Sequence, residues 1–167
     1  TVAGTFSLFI SIAGQMIAGS PFQVDIDAGD TSASACTASG SGIGGGPVGT
    51  ALSFTVQSRD VFGNPVQSGG DVFHAVVSGP SQSPASILDN ENGCHTINYS
   101  AVLCGTYSAS VTLGGRHVTG SPFQLPLIPA EVCLPKCTVS GSGLHISSAG
   151  KVSTFTVQAV DEFGNPQ

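Results

Sequence analysis

Shifting the sequence by 101 residues brings two long stretches of it into register with no gap, and nothing else in it constrains the fold as strongly. GTFSLFISIAGQMIAGSPFQ, from Gly4 to Gln23, falls on GTYSASVTLGGRHVTGSPFQ, from Gly105 to Gln124. Cys36-Thr-Ala-Ser-Gly-Ser-Gly falls on Cys137-Thr-Val-Ser-Gly-Ser-Gly, and Phe54-Thr-Val-Gln…Asp60-x-Phe-Gly-Asn-Pro on Phe155-Thr-Val-Gln…Asp161-x-Phe-Gly-Asn-Pro. About 25 superposed pairs are identical, well beyond chance. A period of this length is enough for one small sandwich to close a core. The expected division is a C-terminal part of one copy over 1–29, a complete copy over 30–129 and an N-terminal part of a third over 130–167. A start without Met and a stop directly after a turn motif fit cuts in a longer polypeptide.

Within the complete copy, strand signals recur at sandwich spacing. Phe54, Val56 and Ser58 alternate with Thr55, Gln57 and Arg59, so one face is expected to be buried. Phe73, Ala75 and Val77 make the next inward set, stopped by Gly79-Pro80. A short strand over Ala85 to Leu88 follows, then His95, Ile97 and Tyr99, then Tyr107, Ala109, Val111 and Leu113. Gly114-Gly115 supplies a hairpin, and Val118 to Leu127 reads as the returning last strand. Gly, Ser, Thr and Val with ten prolines favour short strands and turns over long helices. The reading is all-β: tandem seven-stranded immunoglobulin-like sandwiches.

The combination Gly105-Thr-Tyr, Gly114-Gly115-x-His-Val-x-Gly120-Ser-Pro-Phe and Asp-x-Phe-Gly-Asn-Pro resembles the filamin/ABP280 repeat across the whole chain. That resemblance implies a seven-stranded domain used in strings as an elastic spacer, scaffold or adhesion element. It also implies capture of partner peptides by strand addition along the third and fourth strands. The edge residues are then Asp71, Phe73, Ala75, Val77, Ala85 and Ile87. The actin-binding part of a filamin is a separate helical module, and nothing here resembles it.

Five cysteines are many for a reduced cytosolic array. Cys36 and Cys137 are equivalent, whereas Cys104 corresponds to Ala3 and Cys133 to Ser32. Gain of Cys104 and Cys133 together is what a disulfide across the outgoing linker predicts. Cys36 with Cys94 is the second candidate pair, subject to the strand between them. Five free thiols are the alternative. Asn98-Tyr-Ser100 is an N-glycosylation acceptor pattern on the outward face of its strand.

Four Lys and Arg against ten Asp and Glu, a net charge of −6, exclude the clustered cations that nucleic acid or anionic lipid would need. No run of apolar residues is long enough to cross a membrane within this stretch. The opening TFSLFISIAG mimics the apolar part of a signal peptide, but it lacks a basic flank and aligns with a repeat strand. Gly40 to Gly45 matches G-x-G-x-x-G without the helix that would hold a pyrophosphate, and reads as a flexible loop. The histidines at 74, 95, 117 and 145 show no ligand spacing, and His95 is expected as a hydrogen-bonded core histidine. Asp60 and Asp161 read as side-chain caps of their turns rather than calcium ligands. Asp89 to Asn92 is a denser oxygen cluster, yet short of an ion site. No catalytic, cofactor-binding or metal residue is assigned, and no enzyme is expected.

The leading expectation is a structural or adhesive module of an extracellular or cell-surface protein, with neighbouring copies or other proteins as partners. Its short linker, about Ala28 to Ala35, predicts a semi-rigid rod. The runner-up is an intracellular, filamin-like scaffold binding peptides by strand addition. A third class uses such repeats as the binding appendage of an enzyme.

Overall fold

The computed structural model describes all 167 residues. Fifteen short strands and three 3-10 turns make up the regular structure, and no α-helix occurs. The strands are β1 (Gly4–Leu8), β2 (Ser11–Ile12), β3 (Gln15–Met16), β4 (Phe22–Ile26), β5 (Thr37–Ser39), β6 (Gly46–Pro47), β7 (Leu52–Gln57) and β8 (Phe73–Ser78). They continue as β9 (Ala85–Asp89), β10 (Cys94–Tyr99), β11 (Gly105–Leu113), β12 (Arg116–His117), β13 (Phe123–Ile128), β14 (Thr138–Ser140) and β15 (Thr156–Gln158).

Two sheets face each other between residues 37 and 128. One has the order β5-β7-β10-β9, antiparallel throughout. In the other, β8 and β13 flank β11, and β6 lies parallel to β13. The period-2 patterning places Phe54 and Val56, Ile97 and Tyr99, Tyr107, Ala109 and Val111 between them, joined by Leu125 and Leu127. Each fully buried large side chain contributes about 1.5–3 kcal/mol. Phe54 is fixed edge-on between Tyr99 (centroids 6.3 Å apart) and Phe123 (5.8 Å). Tyr107 closes one end: its hydroxyl donates to Leu103 O at 2.9 Å and accepts from Ser81 N at 3.2 Å, the tyrosine corner of immunoglobulin-like domains.

The strand layout departs from the sequence reading at three places. The first strand changes sheets: β5 pairs with β7, and after the 3-10 turn Ser41–Gly44 the chain crosses to pair β6 with β13. The Gly40–Gly45 segment is accordingly packed rather than flexible. A Cβ on Gly42 would overlap Ser53 O, one on Gly45 would overlap Pro126 O, and Tyr99 donates its hydroxyl to Gly42 O. The last strand is split into β12 and β13, because Gly120 takes φ 83° and Pro122 lacks a ladder donor.

The flanking strands repeat the sandwich's registers. β1 pairs with β4 from Gly4↔Ile26, as β11 pairs with β13 from Gly105↔Leu127. Ser11↔Met16 matches Thr112↔His117, and Thr138↔Gln158 matches Thr37↔Gln57. The 101-residue period is thus a period of structure as well as sequence. No residue of 1–26 or 131–160 is buried.

Candidate functional site

The best-organised polar groups outside the core lie where the linkers meet the sandwich. Asp60, only 2% exposed, follows β7 at the head of the Asp-x-Phe-Gly-Asn-Pro turn. Its Oδ1 accepts from Phe62 N (2.9 Å) and Asn64 N (2.9 Å). Its Oδ2 accepts from Asn64 Nδ2 (2.8 Å) and from Gly29 N in the linker (3.0 Å). Asp161 repeats all four bonds: Phe163 N (2.9 Å), Asn165 N (2.8 Å), Asn165 Nδ2 (2.7 Å) and linker Ala130 N (2.9 Å). The donated hydrogen bonds, led by the Asn64 carboxamide, hold the Asp60 carboxyl down at about 2. For Asp161, desolvation pushes upward, but the Asn165 carboxamide and three main-chain N–H groups outweigh it and also leave the carboxyl at about 2.

Further bonds secure the same linkers. Ser32 N donates to Arg59 O and Cys133 N to Val160 O, both at 2.8 Å, and Thr31 and Val132 bridge to Asp60 and Asp161. The capping role expected of the two aspartates is present. The fourth bond, from carboxylate to linker, was missed, and only the recurrence of the motif next to each linker could have hinted at it.

The expected peptide-binding edge is placed differently in detail. β8 pairs with β11, with one bridge from Val77 to Ser83 besides, and β9 pairs only with β10, so both are edge strands. Phe73 and Val77 are buried in the core, and Ala75, Ala85 and Ile87 pack against it. The outward side chains beside them are Val72, Val76 and Leu88, 68%, 63% and 59% exposed. Asp71 precedes β8 and is no part of the edge: it accepts from Thr31 Oγ1 (2.7 Å) and Ser58 Oγ (2.6 Å), another tie between linker and sandwich.

All five cysteines are free thiols here. Cys36 and Cys94 cannot join as placed. β7 runs between their strands, with Thr37 and Cys94 both opposite Gln57, so the separation is about 10 Å against a reach of about 7 Å. Cys36 instead donates to Ser32 O (3.2 Å), and burial raises its pKa. Cys104 and Cys133 stand on either side of the Asp161–Asn165 turn. The first donates its N–H to Asn165 Oδ1 (2.9 Å), and the second adjoins Val132, which bridges to Asp161.

Asn98 is half-buried on the outer face of the central strand β10, opposite Ser53 and Ser86. His95 is 1% exposed, yet neither ring nitrogen has a hydrogen-bond partner, contrary to expectation; Nε2 lies 3.6 Å from Asp89 Oδ1. Asp89 itself accepts from Gly70 N (2.7 Å) and Glu91 N (2.8 Å), which lower its pKa, so the Asp89–Asn92 oxygens serve the turn.

An immunoglobulin-like sandwich whose strand registers recur in its flanks at a fixed period, with an equivalent aspartate bonded to each linker, defines a repeat-type module. The Filamin/ABP280 repeat model matches residues 30–124, more than half of the chain, and the chain belongs to that family. Filamin-C of Rattus norvegicus is 34% identical over 140 residues, 83% of this chain and 5% of that protein. The E3 ubiquitin-protein ligase TRIM71 of Mus musculus is 39% identical over 90 residues, 53% of this chain and 10% of the ligase. The chain therefore spans only a small fraction of either relative. Among solved structures, the Escherichia coli adhesin FdeC superposes on 97% of this chain and 52% of its own with a TM-score of 0.67 at 18% identity, a likeness of fold. The repeat is a structural, non-enzymatic module.

Proposed function

We propose that the chain is a stretch of a tandem array, one complete repeat over 30–129 between parts of two others, serving as a semi-rigid structural or adhesive spacer in an extracellular or cell-surface protein. The observation that carries this reading is the doubled linker tie. Asp60 holds Gly29 and Asp161 holds Ala130 with the same four-bond geometry. A linker whose main-chain groups are bonded to the following repeat has little freedom to swing. The exposed apolar faces of 1–26 and 138–158 agree with parts of sandwiches rather than with independent units. The Cys104 and Cys133 pair and the Asn98-Tyr-Ser100 pattern support the extracellular placement. Small-angle scattering of the 167-residue chain tests the rod. One narrow, extended shape is expected, and Asp60→Ala with Asp161→Ala should broaden it. An already broad ensemble in the unsubstituted chain would overturn the proposal.

The open edges of β8 and β9, flanked by exposed Val72, Val76 and Leu88, favour a second reading. In it, an intracellular scaffold captures an extended peptide by strand addition.

A further inference from the structure

The two asparagines of the linker turns reach beyond the linker. Asn165 Oδ1 accepts from Cys104 N at 2.9 Å, and its Nδ2 donates to Val102 O at 2.9 Å as well as to Asp161. One period upstream, Asn64 Oδ1 accepts from Ala3 N at 3.0 Å, and its Nδ2 donates to Thr1 O at 3.3 Å as well as to Asp60. Thr1 is equivalent to Val102 and Ala3 to Cys104. Each carboxamide is therefore a two-point clip on the main chain just ahead of the sixth strand of the preceding repeat. Asn64 and Asn165 are both buried, at 8% and 4% exposure. An amide bonded at both ends is well suited to a buried junction, because it satisfies main-chain groups without carrying a charge.

Beside the clip, the Phe163 ring lies on Gly49, where a Cβ would overlap it. Gly49 has φ 76° and donates to Ala101 O at 2.8 Å, so the ring rests in a notch that the missing side chain leaves. Gly150 is its counterpart one period on, with φ 77°. These two glycines coincide while their neighbours differ: Val48 and Thr50 stand where Ala149 and Lys151 do. Phe62, the counterpart of Phe163, is 63% exposed.

We propose that Asp-x-Phe-Gly-Asn-Pro is one half of a lock between consecutive repeats. Its Asn clips the main chain ahead of the preceding repeat's sixth strand, and its Phe plugs that repeat's glycine notch. Its Asp, bonded to both the Asn and the linker, sets the angle. The partner surface is the neighbouring copy, read through main-chain groups and one absent side chain, so the lock tolerates changes such as Ala3 to Cys104. Phe62 is then the plug for the notch one period before Gly49, and Gly150 the notch for the next plug. This inference rests on the tandem-array reading.

Amide hydrogen exchange, followed by NMR on the 167-residue chain, tests the lock from both sides. Asn165→Leu removes the clip. Gly49→Asn fills the notch with a residue that tolerates positive φ. Each should speed exchange of the Cys104 N–H roughly tenfold or more while Ile97 and Ala109 stay protected. Asn165 lies outside the sandwich, so its substitution decides the matter if Gly49→Asn loosens the fold. Free exchange at Cys104 in the unsubstituted chain, or no change in Asn165→Leu, would overturn the lock. A single extended scattering shape with an indifferent Cys104 would leave the array reading standing and remove only this one.

Discussion

Asp60 and Asn64 lie side by side in the turn that follows β7, Nδ2 to Oδ2 at 2.8 Å, and Asp161 and Asn165 repeat the pair at 2.7 Å. In both, the carboxylate must be ionised to accept four donors at once. Folding holds each carboxyl at about 2, below its ordinary 3.8. The unfolded chain therefore takes up these protons first as pH falls. The stabilisation is complete above about pH 4 and is lost as the pH drops through about 2. Thermal melts from pH 2 to 5 should show the midpoint falling across that window, with a shallower fall in Asp60→Asn. A profile unchanged by that substitution would mean that Asp60 is not the group involved.

Two neighbouring glycines should behave oppositely. A Cβ on Gly45 would overlap Pro126 O, and φ is 76°, whereas a Cβ on Gly44 meets nothing within 4 Å. Gly45→Ala should cost about 3 kcal/mol or more, from overpacking added to an unfavourable φ. Gly44→Ala should stay within about 0.5 kcal/mol of the parent. Urea unfolding of the two variants measures the contrast.

That contrast also shows where the sequence was readable. Alternation at Phe54 and Val56, at Ile97 and Tyr99, and at Tyr107, Ala109 and Val111 announced the core, because burial of one strand face has a fixed period of two. The glycine run did not announce its role. Glycine serves both conformational freedom and close approach, and only the positions of Ser53 and Pro126 decide between them. The lock was less legible still. Asn165 and Cys104 are 61 residues apart, and the groups Asn165 binds are main-chain atoms that leave no mark on residue choice. Asp71 looked like an edge residue by position alone, and its ties to Thr31 and Ser58 come from a linker fold that no periodicity encodes.

His95 gives a prediction of opposite sign to most core substitutions. Its ring packs on Phe73 at 4.6 Å between centroids, and both nitrogens are buried without a hydrogen bond. An unmatched buried polar group costs about 1–3 kcal/mol. His95→Leu should therefore hold or raise the urea midpoint, by about 1 kcal/mol at most after the lost aromatic contact. A clear fall would show that the Asp89 carboxylate at 3.6 Å supports the ring more strongly than its distance suggests.

Cys104 and Cys133 offer the prediction that separates compartments. They flank the Asp161–Asn165 turn, and neither has a cysteine counterpart at the preceding junction, where Ala3 and Ser32 stand. A bond between them would join the sandwich to its outgoing linker beside the lock. By chain-entropy reasoning it would close a loop of about 30 residues and stabilise the junction by about 3–4 kcal/mol. Cys36 and Cys94 should remain unlinked to each other, because β7 separates them. Non-reducing peptide mapping of the protein from its native source, with free thiols alkylated first, reads both statements at once. A Cys104–Cys133 peptide would establish an oxidising compartment and a covalently fastened junction. Full alkylation of all five thiols would instead favour the intracellular scaffold and leave the outgoing junction to hydrogen bonds and packing, those of Asp161, Asn165 and Phe163 among them.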